Sequence, residues 1–182
     1  MPISISLGVL GFPGITVGVE GVSLFPSRKR KKKTDPAGPF LIIARDCGLA
    51  LDTGQAVEPR SKPILLPPHA DLHQLWYLHP SGVQGELLII SAANKLALDS
   101  TTDSDQAELV MWETNKEPWQ RWQLHKTPDG AAFEIQAVHG RRFLTAAADF
   151  QSGWNPWFGD RFFKRSQQWI FGLPHGGDPT GT

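Results

Sequence analysis

Gln74-Leu75-Trp76, Gln120-Arg121-Trp122 and Gln167-Gln168-Trp169 are three copies of one tripeptide, Gln-x-Trp, set 46 and 47 residues apart. A fixed spacing of this kind marks internal repetition, which governs the reading of every residue between the copies. Working back from each copy, the apolar runs Phe40-Leu41-Ile42-Ile43, Glu86-Leu87-Leu88-Ile89-Ile90 and Phe133-Glu134-Ile135-Gln136-Ala137 open the three repeats. A turn and a Leu-Asp-like step follow each run. These steps read Gly48-Leu49-Ala50-Leu51-Asp52, Lys95-Leu96-Ala97-Leu98-Asp99 and Arg141-Arg142-Phe143-Leu144-Thr145, and their last residues keep the same spacing.

From Phe40 to Leu173 short strand-like runs alternate with the turn signals Asp52-Thr53-Gly54, Pro80-Ser81-Gly82, Pro128-Asp129-Gly130 and Val138-His139-Gly140. No stretch holds a helical period for three turns, so the chain reads as all-β, a sandwich or barrel. A unit of this length holds roughly four strands of ordinary size but cannot enclose its own apolar face. Three units must therefore share one core around a pseudo-three-fold axis. The expected limits are an N-terminal extension over 1–38, repeats at about 39–80, 84–127 and 131–173, and a flexible tail over 174–182.

The chain has 182 residues and no net charge, but the charge is uneven. Arg28, Lys29, Arg30, Lys31, Lys32 and Lys33 are consecutive, which leaves 12 basic against 16 acidic residues beyond Gly38. The repeats are mildly acidic, which argues against a nucleic-acid-binding face there. The basic run, bounded by Pro26 and Pro36-Ala37-Gly38-Pro39, suits a solvated linker, a nuclear-import-like signal or an anchor for an anionic, phosphate-bearing partner. Ahead of it, Ile15-Thr16-Val17-Gly18-Val19 and Gly21-Val22-Ser23-Leu24-Phe25 alternate as a short hairpin does. Two strands alone are marginal in water, so residues 1–25 dock on the main domain, pair with another chain as in a homo-oligomer, or stay loose. The single cysteine, Cys47, forms no intramolecular disulfide and reads as a small hydrophobe beside a turn. The start, Met-Pro-Ile-Ser-Ile-Ser, lacks the pattern of a secretory signal, and no run is long enough to span a bilayer. A soluble product, cytoplasmic by default, is the expectation.

The three in-phase Gln-x-Trp steps, each preceded by a Leu-Asp-like step, resemble the ricin-B-type lectin family over about Pro39 to Leu173. That resemblance implies a β-trefoil that binds a galactose-type sugar or glycan, without catalysis and without a cofactor. Residues 1–38 match nothing in that family. In the repeats, Trp76, Trp122 and Trp169 are expected to plug the shared core, each indole nitrogen needing an acceptor. Gln74, Gln120 and Gln167 are expected to close turns with both ends of the amide, since an unpaired buried amide costs about 1–3 kcal/mol.

A hexose shows hydroxyls at its rim and one patch of C–H groups, so a shallow site wants a carboxylate or amide beside a flat ring. The resemblance assigns these roles to the aspartate of the Leu-Asp step, an aromatic later in the repeat, and an amide before or at Gln-x-Trp. The second repeat keeps most of this: Asp99 as acceptor, Trp112 as stacking ring, Asn115 or Gln120 at the rim. Trp119 stands where the family usually has an asparagine, as a second stacking surface or a closure of the pocket. The first repeat keeps Asp52, with His73 in place of the amide, but reads Ile64-Leu65-Leu66-Pro67-Pro68 where the ring belongs, so its binding is expected to be weak or lost. In the third, Thr145 replaces the aspartate, while Phe150, Trp154, Trp157, Phe158, Phe162 and Phe163 crowd the stretch before Gln167. Strand alignment leaves open which of them matches Trp112. If two or more are exposed together they form a contact surface for a partner, a membrane interface or a differently built glycan site; the rival expectation is an interaction trefoil with decayed sugar sites, working through 150–163 and the basic run. His69, His73, His79, His125, His139 and His175 show no zinc-ligand spacing, and no nucleophile sits in a recognisable elbow.

Overall fold

A computed structural model describes residues 35–54, 58–101 and 107–174 in full, and residues 15–18 and 21–26 as backbone. The basic run Arg28–Lys33 and the tail beyond Pro174 lie outside the described residues. Strands β1 (Ile15–Gly18) and β2 (Gly21–Pro26) pair antiparallel, with Val17 opposite Val22.

Each repeat carries four strands. The first holds β3 (Ala37–Ala44), β4 (Ala50–Asp52), β5 (Ile64–Leu66) and β6 (Leu75–Pro80). The second holds β7 (Leu87–Ser91), β8 (Ala97–Ser100), β9 (Leu109–Trp112) and β10 (Trp122–Lys126). The third holds β11 (Phe133–Ala137), β12 (Phe143–Thr145), β13 (Trp157–Gly159) and β14 (Gln168–Gly172). Strand β3 thus begins two residues before the expected limit and includes the Gly38-Pro39 cis peptide.

The outer strands of each repeat close a six-stranded barrel, pairing β3 with β6, β6 with β7, β7 with β10, β10 with β11, β11 with β14 and β14 back to β3. Closure leaves the barrel no free edge. The inner pairs, β4–β5, β8–β9 and β12–β13, are three hairpins hydrogen-bonded to the barrel by β3, β7 and β11. This arrangement is the β-trefoil.

The core is built in three-fold layers. Ile42, Ile89 and Ile135 form one set of buried side chains, Leu51, Leu98 and Leu144 another, and Leu65, Met111 and Phe158 a third. The three tryptophans are 0 % exposed, and Trp122 stacks on Phe158 at 5.9 Å between ring centroids. Each indole N–H donates to a carbonyl one position before the Leu-Asp-like step ends: Trp76 to Leu51 at 3.0 Å, Trp122 to Leu98 at 3.2 Å, Trp169 to Leu144 at 3.0 Å. The bond satisfies a buried donor and also holds the backbone just before Asp52, Asp99 and Thr145.

The glutamines repeat this economy. Each ends a 3₁₀ turn (Leu72–Gln74, Pro118–Gln120, Arg165–Gln167) and is fully buried. Gln74 Oε1 accepts from the His69 N–H at 2.8 Å while its Nε2 donates to the Pro67 carbonyl. Gln120 Oε1 accepts from Asn115 and its Nε2 donates to Glu113; Gln167 does the same with Phe162 and Asp160. The loop each amide closes contains a left-handed residue, Ala70, Lys116 or Phe163, with φ of 60°, 63° and 54°. None is glycine, so the strain of about 1 kcal/mol or more per site is offset by the amide and the packing around it.

Candidate functional site

Because the hairpins share one register, equivalent positions can be read from the pairing. Asp52 faces Ile64, Asp99 faces Val110 and Thr145 faces Trp157. Two residues on along the second strand, and on the same face, stand Leu66, Trp112 and Gly159. The glutamine-closed loop then places His69, Asn115 and Phe162 at one further equivalent position.

In the second repeat these positions line a cavity of about 470 Å³ together with Arg60, Thr101, Glu108, Val110 and Trp119. Asp99 sits at its wall, 8 % exposed. Burial lifts its carboxyl above the ordinary aspartate range, and a hydrogen bond from Gln120 partly offsets that. Trp112 is half-buried and Asn115 exposed, its Oδ1 accepting from the Glu117 N–H at 2.9 Å. Trp119 lines the cavity and packs on His139 of the third repeat, ring centroids 3.6 Å apart.

Gln120 does not reach the rim. It is 0 % exposed and its amide is committed to Asn115, Lys116 and Glu113, so a sugar hydroxyl finds no free group on it. Of the two amides that the sequence offered, only Asn115 faces the cavity.

The first repeat differs. Leu66 holds the ring position, as the absence of an aromatic in 64–68 implied. Asp52 is 2 % exposed; its Oδ1 accepts from the Gly54 N–H at 2.6 Å. Its Oδ2 lies 3.2 Å from His69 Nε2 but off the line of a good hydrogen bond. The imidazole beside Asp52 is therefore that of His69, not His73, whose Nδ1 lies 2.9 Å from Thr53 Oγ1. A histidine at the amide position predicts partnership with Asp52 only if the 3₁₀ turn aims it there. The turn aims it at Thr53.

The third repeat lacks the acid, and no ring stands at the strand position that Trp112 holds in the second. Thr145 is buried, donating to the Phe143 carbonyl and accepting from Gln167 Nε2. Gly159 stands where Trp112 does, so none of the aromatics is the positional match of that indole. Phe162 fills the gap from the loop: a β-carbon on Gly159 would meet its ring at 3.0 Å. Elsewhere in this stretch Phe158 is core, Phe150 meets Trp154 and Trp157 edge-on at 5.3 and 4.9 Å, and Trp154, Trp157, Phe162 and Phe163 are exposed.

The residue that sequence reasoning missed is Arg60. Its guanidinium carbon lies 5.2 Å from the centre of the Trp112 ring, within cation–π range. Counting two repeat spacings back from Gly153 leads to position 60, the signal that would have found it.

The family whose description is ricin-type beta-trefoil lectin domain-like matches residues 72–153. Among solved structures the chain is similar to the designed three-fold symmetric protein ThreeFoil (21 % identity, TM-score 0.68, 74 % of this chain and 98 % of that one). It is similar to the Macrolepiota procera ricin B-like lectin in complex with lactose (17 %, 0.65, 79 % and 100 %). The earthworm R-type lectin C-half in complex with GalNAc is a third (24 %, 0.55, 73 % and 96 %). No curated protein matches the chain. At these identities the structures establish the fold, and no described helix is long and apolar enough to cross a membrane. Three Gln-x-Trp steps in phase and a closed β-trefoil thus frame a central stretch, residues 72–153, that is similar to the ricin-type beta-trefoil lectin domain-like family.

Proposed function

We propose that this trefoil is a non-catalytic carbohydrate-binding module with one shallow site, in the second repeat. Asp99 accepts hydrogen bonds from adjacent sugar hydroxyls, Trp112 packs on the C–H face of the ring, and Asn115 completes the rim. Trp119, braced by His139, closes the far side. The observation that carries this reading is the convergence of an acid, a half-exposed indole and an exposed amide on one cavity of about 470 Å³, when neither sister repeat assembles all three. The lactose and GalNAc held by two similar structures make a galactose-type sugar the first ligand to try. A single site of this size binds at about millimolar strength, so useful avidity needs several copies. Titrating lactose into wild type, Asp99→Ala and Trp112→Ala is the test. Binding by wild type that both variants lose supports the site; equal response from all three removes it.

A second reading rests on Trp154 and Trp157, 46 % and 41 % exposed beside Phe150. A cluster of this kind on a soluble surface suits a protein contact, and the basic run Arg28–Lys33 would add an anionic partner. Replacing both indoles by serine leaves sugar binding intact on the first reading and abolishes partner capture on the second.

A further inference from the structure

We infer that Arg60 makes the second-repeat site selective for an anionic saccharide, a galactose-type ring bearing a carboxylate or sulfate; this rests on the carbohydrate reading above. Three observations converge. First, Arg60 belongs to the first repeat but is tied to the second: its N–H donates to the Met111 carbonyl at 2.8 Å, and the Met111 N–H returns to the Ser61 carbonyl at 2.8 Å. The backbone pairing fixes the point from which the Arg60 side chain leaves the chain, and from there its guanidinium lies 5.2 Å from the centre of the Trp112 ring. Second, the same paired bond recurs where the third repeat meets the first, with the Gly153 N–H donating to the Leu65 carbonyl and the Leu65 N–H to Trp154. Position 60 is thus equivalent to Gly153, and both are left-handed, φ 71° and 91°. Glycine adopts that conformation without penalty and arginine does not, so the fold alone favours glycine at position 60. Third, the cavity's charges are separable. Glu108 pairs with Lys62 at 2.6 Å, and among the described residues lining the cavity that leaves Asp99 as the acid and Arg60, over Trp112, as the base.

A neutral hexose uses the acid and the indole and leaves the guanidinium with water. A ring carrying an anionic substituent at the end away from Asp99 meets the planar fork of N–H donors, which suits carboxylate and sulfate oxygens alike. Trp112 and Arg60 then act as one wall, apolar below and cationic above.

The test compares galactose, galacturonate and galactose 6-sulfate by titration against wild type, Arg60→Gly and Asp99→Ala. Arg60→Gly relieves the left-handed strain, so it folds at least as well as wild type by thermal melting. Wild type is expected to prefer the anionic sugars by about tenfold, the effect of one charge-assisted contact. Arg60→Gly loses that preference and keeps galactose binding, and Asp99→Ala loses all three. A response to galacturonate but not to the sulfate, or the reverse, identifies which anion the fork takes. Equal affinity for neutral and anionic sugars in wild type, or a preference that survives Arg60→Gly, overturns the inference while the sugar site stands. No binding of any of the three overturns the site and the inference together.

Discussion

The second and third repeats carry equivalent hairpins, and they differ at the positions that matter for a ligand. Asp99, Trp112 and Asn115 on one answer to Thr145, Gly159 and Phe162 on the other. Behind these positions nothing changes: a buried tryptophan donates to the leucine carbonyl before the step, and a buried glutamine closes the loop. The frame is fastened from the inside by buried, hydrogen-bonded groups, so residues on the outer face can vary without disturbing it. One hairpin keeps a desolvated acid beside a half-covered indole, whereas the other uses its threonine hydroxyl internally and covers its glycine with a loop phenylalanine.

The comparison breaks first if the frame is not shared. Trp122→Ala and Trp169→Ala are each expected to destabilise by about 3–5 kcal/mol in chemical denaturation, and a large difference between them would mean that the repeats do not bear equally on the core. Next in size is transplantation. Thr145→Asp, Gly159→Trp and Phe162→Asn together are expected to give the third repeat sugar binding of about millimolar strength in an Asp99→Ala background, read by lactose titration. Silence from a folded triple variant would show that Trp119, which the transplant lacks, is required.

A smaller effect comes from pH. Burial raises the Asp99 pKa, so the folded chain favours the protonated acid and the ionised form costs stability. That cost is present above the folded pKa and disappears as pH falls through it. Asp99→Asn is therefore expected to melt higher than wild type at neutral pH, with the gap closing on acidification. The proposed use of the carboxylate in sugar binding implies that binding weakens on acidification, starting at a pH above the ordinary aspartate range. The smallest effect is Lys62→Ala. Its pair with Glu108 is about half exposed on both sides, so the loss of stability should be at most about 1 kcal/mol, and a larger one would mean that the strap from the first repeat is held by charge instead of backbone.

Much of this was legible in one dimension. The repeat spacing named the three tryptophans and three glutamines as interior, because an indole and a buried amide at one depth in each unit have few other uses. It also marked Asp99, Trp112 and Asn115 as the fullest set, since residue types on one hairpin travel together. The misplaced residues fail for one reason: whether an amide or imidazole looks inward or outward at a 3₁₀ turn depends on which backbone groups the turn leaves unpaired. Gln120 is drawn in by Asn115, Lys116 and Glu113, and His73 by Thr53.

By itself, then, the sequence determined the three-fold plan, the four strands per unit and the plugs of the core. All of these follow from periodic placement of apolar and turn residues along the chain. Tertiary structure alone decided that Arg60 lies over Trp112, that His139 braces Trp119, that His69 attends Asp52, and that Phe162 replaces a ring missing from Gly159. Those contacts join different repeats or cross a loop, and they exist only because closing the barrel brings the end of one unit against the hairpin of the next.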